Sequence, residues 1–189
     1  KLAELEAAAK RRGAALEWAH VTDALQLERD QGITVDTTRI WFPTAARTYQ
    51  IIDAPGHAEF LRNAVTGAAA AEAAILLVDI ARGLEAQTRR HAYLARLLGI
   101  RRLIVAINKM DLVDYSSARF TQVTTELEGY LSEIGLEADF MVPISARHGD
   151  GVAAPSADMR WWTGPTLLQA LDALPDTAAP RERALRLPV

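Results

Sequence analysis

The segment Asn108-Lys109-Met110-Asp111 brings an amide, a cation and a carboxylate close together in the chain. The carboxylate of Asp111 supplies a fixed acceptor for two neighbouring donors, such as the N1–H and 2-amino groups of guanine. The amide of Asn108 can tie neighbouring loops together, and the alkyl stem of Lys109 can cover a base while its charge stays in water. The same residues could cap a helix after a strand, but their combination favours recognition of a guanine base.

A second cluster, Asp53-Ala54-Pro55-Gly56-His57, combines a carboxylate with a glycine and a histidine. A carboxylate at a strand end can hold Mg²⁺, largely through water, because this ion keeps much of its hydration shell. Gly56 lets a backbone N–H approach a terminal phosphate closely. Taken alone, the cluster is also an ordinary turn sequence, because Asp, Pro and Gly are all turn residues.

Two further clusters are less specific by themselves. Ser145-Ala146-Arg147 follows an apolar run, and its small residues let backbone N–H groups reach a base carbonyl. Residues 28–34 end on Thr34, whose hydroxyl could complete a magnesium shell. Each cluster alone is also compatible with a plain loop or helix end. Their order along the chain, with Asp53 and Asn108 between them, favours a nucleotide site.

Continuous apolar runs are predicted to place these clusters at the ends of strands. Such runs are typical of parallel strands that are covered on both faces, and they occupy residues 73–79, 103–108 and 140–144. Helices are predicted at residues 87–98, 115–134 and 166–174. In the second helix one face is apolar, formed by Phe120, Val123, Leu127, Leu131 and Ile134.

The first third of the chain has a different pattern. Residues 1–29 are rich in helix-forming residues. Residues 33–42 and 47–52 are predicted to form an antiparallel hairpin around a turn at Pro43. Together with the alternating strands and helices that follow, this predicts a doubly wound α/β fold, mostly parallel, with helices on both faces of the sheet. Ligands of such folds bind at the carboxyl ends of the strands.

The amino-acid composition and charge of the chain argue against several classes of protein. The formal charge of -3 argues against a broad electrostatic nucleic-acid binder but leaves a local RNA or protein contact open. A chain without cysteine has neither disulfides nor a thiolate zinc site. No apolar run in the sequence is long enough to span a bilayer. We therefore expect a cytoplasmic protein with no membrane partner and no DNA partner.

The ordered clusters resemble those of the translational-type P-loop GTPases, which carry a Gly-Ile-Thr switch and an Asp-x-Pro-Gly-His switch. The resemblance covers residues 25–174 and implies GTP and Mg²⁺ as ligands. It implies that Thr34 and Asp53 bind the metal, that Gly56 contacts the terminal phosphate, and that His57 positions the attacking water. Ile33 would belong to the apolar gate around that histidine. The guanine would be held by Asn108, Lys109, Asp111, Ser145 and Ala146.

Within that superfamily the chain resembles the GTPase subunits of bacterial sulfate adenylyltransferase. Four stretches carry this likeness: Gln87-Thr88-Arg89-Arg90-His91, Leu98-Gly99-Ile100, residues 107–115, and residues 161–168 (WWTGPTLL). The resemblance implies that GTP hydrolysis drives a catalytic partner subunit, which joins ATP and sulfate into adenylylsulfate during sulfate assimilation. Two alternatives stay open, namely an elongation-factor-like GTPase that delivers tRNA and a non-hydrolysing binding module with this fold.

One part of the family pattern does not occur in the 189 residues, because they contain no Gly-x-x-x-x-Gly-Lys-Ser/Thr phosphate loop. Either the chain is a fragment of a longer protein or it is a degenerate GTPase; we expect a fragment. Residues 1–174 would be a GTP-binding domain, incomplete at its N-terminus. Residues 175–189 would be a linker into a following domain, expected to be a β-barrel. We expect these residues alone to bind GTP poorly.

Overall fold

A computed structural model of the chain describes residues 38–53, residue 65 and residues 71–175. The chain divides into two compact units, Lys1–Ala71 and Glu72–Val189. The helices predicted within residues 1–29 lie outside the described residues. So do Ile33 and all but the first residue of the predicted linker.

In the first unit, the described residues form an antiparallel hairpin. Strand β1 spans Thr38–Pro43 and pairs with β2, which spans Thr48–Asp53. The turn is closed by Thr44, whose N–H donates to the carbonyl of Arg47 at 2.8 Å. The hydroxyl of Thr44 also accepts from the N–H groups of Ala46 and Arg47, at 3.2 Å each. The predicted hairpin is confirmed, with its second strand ending on Asp53.

In the second unit, three parallel strands form a sheet in the order β3-β4-β5. The strands are β3 (Ala73–Asp79), β4 (Arg102–Asn108) and β5 (Phe140–Pro143). The register places Asp79 opposite Asn108, so that polar residues end both strands on the same edge of the sheet. The predicted parallel α/β arrangement is therefore confirmed.

Burial differs between the two longer strands. In β4, Leu103 to Ile107 are all buried, as expected for a strand covered on both faces. In β3, Ile75 is 40% exposed and Leu77 is 60% exposed, so the prediction of continuous burial is wrong for this strand. The exposed Ile75 and Leu77 alternate with the buried Leu76 and Val78, so one face of β3 is covered and the other is exposed.

The described helices of the second unit are α1 (Ala86–Leu97) between β3 and β4, the 3-10 helix Met110–Val113 and α2 (Ser117–Glu133) between β4 and β5, and α3 (Leu167–Ala173) after β5. The predicted apolar face of α2 is buried at Phe120, Val123, Leu127 and Leu131, while Ile134 is half-buried. Helix α3 begins with a capping box between Thr166 and Gln169. None of the described helices is long and apolar enough to cross a membrane.

The predicted start of α2 at Tyr115 is wrong. Asp114 and Tyr115 both have left-handed backbone conformations, with φ of 49° and 53°. The helix begins at Ser117 because the hydroxyl of Ser116 accepts from the N–H of Arg119 at 3.3 Å, which is a normal N-cap bond. Tyr115 consequently lies in a connecting segment between the 3-10 helix and α2.

Candidate functional site

The loops that follow β4 and β5 lie side by side, because the two strands are parallel neighbours. Asn108 ties these loops together. Its Oδ1 accepts from the N–H of Ala146 at 3.0 Å and from the N–H of Lys109 at 2.7 Å. The N–H of Ala146, which we expected to reach a base carbonyl, already has a partner here, so a base would have to share that donor.

Asp111 lies in the first turn of the 3-10 helix and contacts the neighbouring loop through its carboxylate. Its Oδ1 accepts from the hydroxyl of Ser145 at 2.6 Å, and Ser145 is completely buried. The Oδ2 atom of Asp111 lies 3.9 Å from Nε2 of His148. A buried hydroxyl therefore fixes one carboxylate oxygen, while the side chain remains 18% exposed and can accept hydrogen bonds from outside.

Lys109 reaches the end of the next strand. Its backbone is left-handed, with φ of 66°, and its ammonium group lies 2.7 Å from Oδ2 of Asp79. The register of β3 and β4 brings the Asp79 carboxylate within reach, while the Lys109 side chain remains 52% exposed. Burial alone raises the pKa of Asp79. Hydrogen bonds from Lys109 and the N–H of Ala81 outweigh this effect and hold the pKa below its ordinary value of 3.8.

The loop after β5 is held in a tight turn by its own backbone. The carbonyl of Ser145 accepts from the N–H groups of His148, Gly149 and Asp150, at 3.2, 2.8 and 3.1 Å. The N–H of Ser145 donates to the carbonyl of Asp150 at 3.0 Å. Gly151 has φ of 69°, and a Cβ there would collide with the carbonyl oxygen of Pro143. The turn thus has little freedom, and Ser145 has a fixed place beneath Asp111.

Comparison with protein families places almost the whole chain in one family. Residues 2–176 match the model of the elongation factor Tu GTP binding domain. The chain belongs to this family. It is a GTP-binding domain of the translation-factor type, and the motifs predicted to recognise the base lie on the loops that follow β4 and β5.

Relatives of two kinds are almost equally similar. The chain is 46% identical over 178 residues to sulfate adenylyltransferase subunit 1 of Yersinia enterocolitica, covering 94% of this chain and 37% of that protein. It is 45% identical over 178 residues to elongation factor 1-alpha of Thermococcus onnurineus, covering 94% of this chain and 42% of that protein. The chain thus spans well under half the length of these relatives.

Solved structures agree on the fold. A bacterial selenocysteine-specific elongation factor matches with a TM-score of 0.62 and 31% identity over 69% of this chain and 22% of that one. The protein sup35 in complex with GMPPNP matches with a TM-score of 0.59 and 30% identity over 72% of this chain and 34% of that one. Both likenesses confirm the P-loop GTPase fold predicted from the sequence.

Reasoning from the sequence overlooked four residues of this GTP-binding domain: Asp79, Tyr115, His148 and Asp150. Asp79 had a visible signal, because it ends an apolar strand as Asn108 does. The other three had no visible signal. A tyrosine in a predicted helix is a common surface residue, and so are a histidine and an aspartate in a polar loop. Tyr115 contacts Asp150, and His148 lies near Asp111. These contacts form only where the loops after β4 and β5 lie side by side.

The predicted switch residues are described only in part. Asp53 ends β2 and is half-buried, whereas Thr34, Gly56 and His57 lie outside the described residues. Within residues 38–53 and 71–175, no group of three or more His, Cys, Asp or Glu side chains is arranged to hold a metal ion. Magnesium beside a nucleotide commonly takes one or two protein ligands together with phosphate and water, and the carboxylate of Asp53 is a donor of the right kind.

Proposed function

We propose that this GTP-binding domain recognises guanine through the loops after β4 and β5. Asp111 accepts the N1–H and 2-amino donors of the base, and the buried hydroxyl of Ser145 holds its carboxylate in place at 2.6 Å. Asn108 keeps the two loops in register. The stem of Lys109 lies against the base, with its ammonium group anchored on Asp79. Fixed acceptors of this kind discriminate strongly against a base that lacks the matching donors.

We propose further that the domain hydrolyses GTP with the switch residues inferred from the sequence. Thr34 and Asp53 would hold Mg²⁺, which supplies positive charge to the phosphate oxygens when it is bound. The backbone of Gly56 would contact the terminal phosphate, and His57 would position the attacking water. The carboxylate of Asp53 at the end of β2 supports this proposal, since a rigid strand holds such a ligand well.

The biological role that we propose is the GTPase subunit of a sulfate adenylyltransferase. In this role GTP hydrolysis drives a separate catalytic subunit, which forms adenylylsulfate and pyrophosphate from ATP and sulfate. The observation that carries the proposal is the resemblance of the stretch 161–168 to that class of GTPase. The 46% identity to sulfate adenylyltransferase subunit 1 supports it.

A second candidate role is that of an elongation-factor-like GTPase. It is favoured by the relatives named elongation factor 1-alpha, which are as similar to this chain as the sulfate adenylyltransferase subunit is. Such a protein would bind aminoacyl-tRNA in its GTP state. The two roles differ in the partner, and the guanine site described above serves both.

The deciding experiment measures adenylylsulfate synthesis by a catalytic sulfate adenylyltransferase subunit, with and without the full natural chain that carries residues 1–189. We expect synthesis to rise on addition of GTP and to stay at its basal level with GDP. The variant His57→Ala should keep GTP binding and lose the stimulation. GTP-dependent binding of aminoacyl-tRNA, together with no stimulation of adenylylsulfate synthesis, would instead establish the second role.

A further inference from the structure

Two adjacent tryptophans, Trp161 and Trp162, pack with Phe120 of α2 in one aromatic cluster. The ring centroids of Phe120 and Trp161 are 5.4 Å apart, as are those of Phe120 and Trp162. The two tryptophans contact each other edge to face, with centroids 6.2 Å apart. Such clusters are rigid and add stability beyond the burial of area. The cluster therefore provides a firm support near the start of α2.

The indole N–H groups of the two tryptophans have different partners. The indole N–H of Trp162 donates to the carbonyl of Pro165 at 3.0 Å, which is a local bond over three residues. The indole N–H of Trp161 donates to the carbonyl of Tyr115 at 2.8 Å, across 46 residues. Of the two, Trp161 is thus the one that connects the aromatic cluster to the segment that follows the 3-10 helix.

Tyr115 extends this connection to the loop after β5. Its backbone is left-handed, a conformation that costs energy for a bulky residue, and its N–H donates to the carbonyl of Met110 at 2.9 Å. Its hydroxyl donates to Oδ2 of Asp150 at 2.8 Å. The backbone carbonyl of Asp150 in turn accepts a hydrogen bond from the N–H of Ser145. The hydroxyl of Ser145 donates to the carboxylate of Asp111.

These bonds form a continuous path from the aromatic cluster to the base-reading carboxylate. We propose that Trp161, Tyr115 and Asp150 are positioning residues for guanine recognition, acting through Ser145 on Asp111. The inference rests on the proposed guanine site. It also assigns a role to Trp161 beyond its packing in the aromatic cluster. Removing one bond of the path loosens the orientation of Asp111 without removing any group that touches the base.

The readout is base discrimination, measured as the ratio of the dissociation constants of inosine diphosphate and GDP. Inosine keeps N1–H but lacks the 2-amino group, so this ratio reports how well the 2-amino donor of guanine meets the Asp111 carboxylate. A purely structural loss of stability weakens the binding of both nucleotides alike and leaves the ratio unchanged. The measurements use the full natural chain that carries residues 1–189, with binding followed by calorimetry.

The test compares Tyr115→Phe and Trp161→Phe with the matched control Trp162→Phe. The control removes an indole from the same aromatic cluster, but its hydrogen bond ends on Pro165. We expect the first two variants to lower the ratio about fivefold, from the loss of one hydrogen bond, and the control to leave it unchanged. Asp150→Ala should lower the ratio as well, and Asp150→Asn should restore it because an amide oxygen can still accept from Tyr115.

Two results would overturn the inference. In the first, Tyr115→Phe and Trp161→Phe keep the wild-type ratio while binding GDP normally. In the second, Trp162→Phe lowers the ratio as much as Trp161→Phe does, so that general loosening explains the effect. A wild-type chain that shows no preference for GDP over ADP would instead overturn the proposed guanine site itself. This outcome is distinguished from the other two by the wild-type measurement alone.

Discussion

The ammonium group of Lys109 lies 2.7 Å from the Oδ2 atom of Asp79, across the ends of two parallel strands. The pairing arises from the sheet register, which places Asp79 opposite Asn108, the residue before the lysine. The Lys109 side chain is 52% exposed and the Asp79 side chain 19%, so the pair lies at the surface of the strand ends. It anchors the lysine on the same edge of the sheet as Asp111.

We expect the ion pair between Lys109 and Asp79 to make the free energy of unfolding depend on pH in the acid range. The pKa of Asp79 lies below 3.8 in the folded chain, so its contribution is present above that pH and is lost as the pH falls through the lowered pKa. We expect Asp79→Asn to lower the free energy of unfolding by about 0.5–1 kcal/mol at neutral pH, since partly exposed pairs contribute little. Urea unfolding at several pH values should show this difference shrinking in acid; a constant difference would contradict the prediction.

We expect a substitution at Asp111 to change which base the domain prefers. Asn in its place presents an amino group where guanine needs an acceptor, whereas xanthine carries a carbonyl where guanine has its 2-amino group. We expect Asp111→Asn to weaken GDP binding by about 100-fold and to strengthen binding of xanthosine diphosphate. The control Ser145→Ala removes only the hydroxyl that holds Oδ1, so it should weaken GDP binding without changing the preferred base. Failure of xanthosine diphosphate to gain affinity would count against Asp111 as the base reader.

We expect Tyr115 to ionise at a higher pH than an ordinary tyrosine. The hydrogen bond donated to Asp150 raises the pKa of Tyr115 to about 12, and burial and nearby carboxylates contribute to the same shift. Because the folded pKa is raised, this contribution to stability is present below pH 10.0 and is lost as the pH rises through about 12. Titration of tyrosinate absorbance should show one of the four tyrosines titrating late. Its signal should be absent from Tyr115→Phe and appear at lower pH in Asp150→Ala.

Gly151 and Gly99 have similar backbone conformations, but we expect alanine to destabilise the chain more at Gly151 than at Gly99. Gly151 has φ of 69° and Gly99 has φ of 74°, so alanine is strained at both. A Cβ at Gly151 would also collide with the carbonyl of Pro143, whereas nothing in the described part of the chain lies near Gly99. We expect Gly99→Ala to lower the free energy of unfolding by about 1 kcal/mol and Gly151→Ala by about 3 kcal/mol. Equal losses in urea unfolding would show that the loop after β5 can shift to make room.

Local sequence determined the elements of the described part of the chain. The run at residues 73–79 was predicted with the bounds that β3 has, and the strand predicted at residues 103–108 differs from β4 by one residue. These predictions succeeded because an apolar run bounded by polar residues is a local signal. The start of α2 was predicted wrongly because the cap at Ser116 competes with the helix-forming pattern before it.

The sequence by itself also determined which residue types stand at the strand ends, and hence the chemistry of a guanine site. Only the tertiary structure decided which atoms meet. Ser145 reaches Asp111 across 34 residues, Lys109 reaches Asp79 across 30, and Tyr115 reaches Asp150 across 35. The physical reason is that these bonds depend on the register of neighbouring parallel strands. That register is set by packing of the whole sheet, which no local pattern of residues contains.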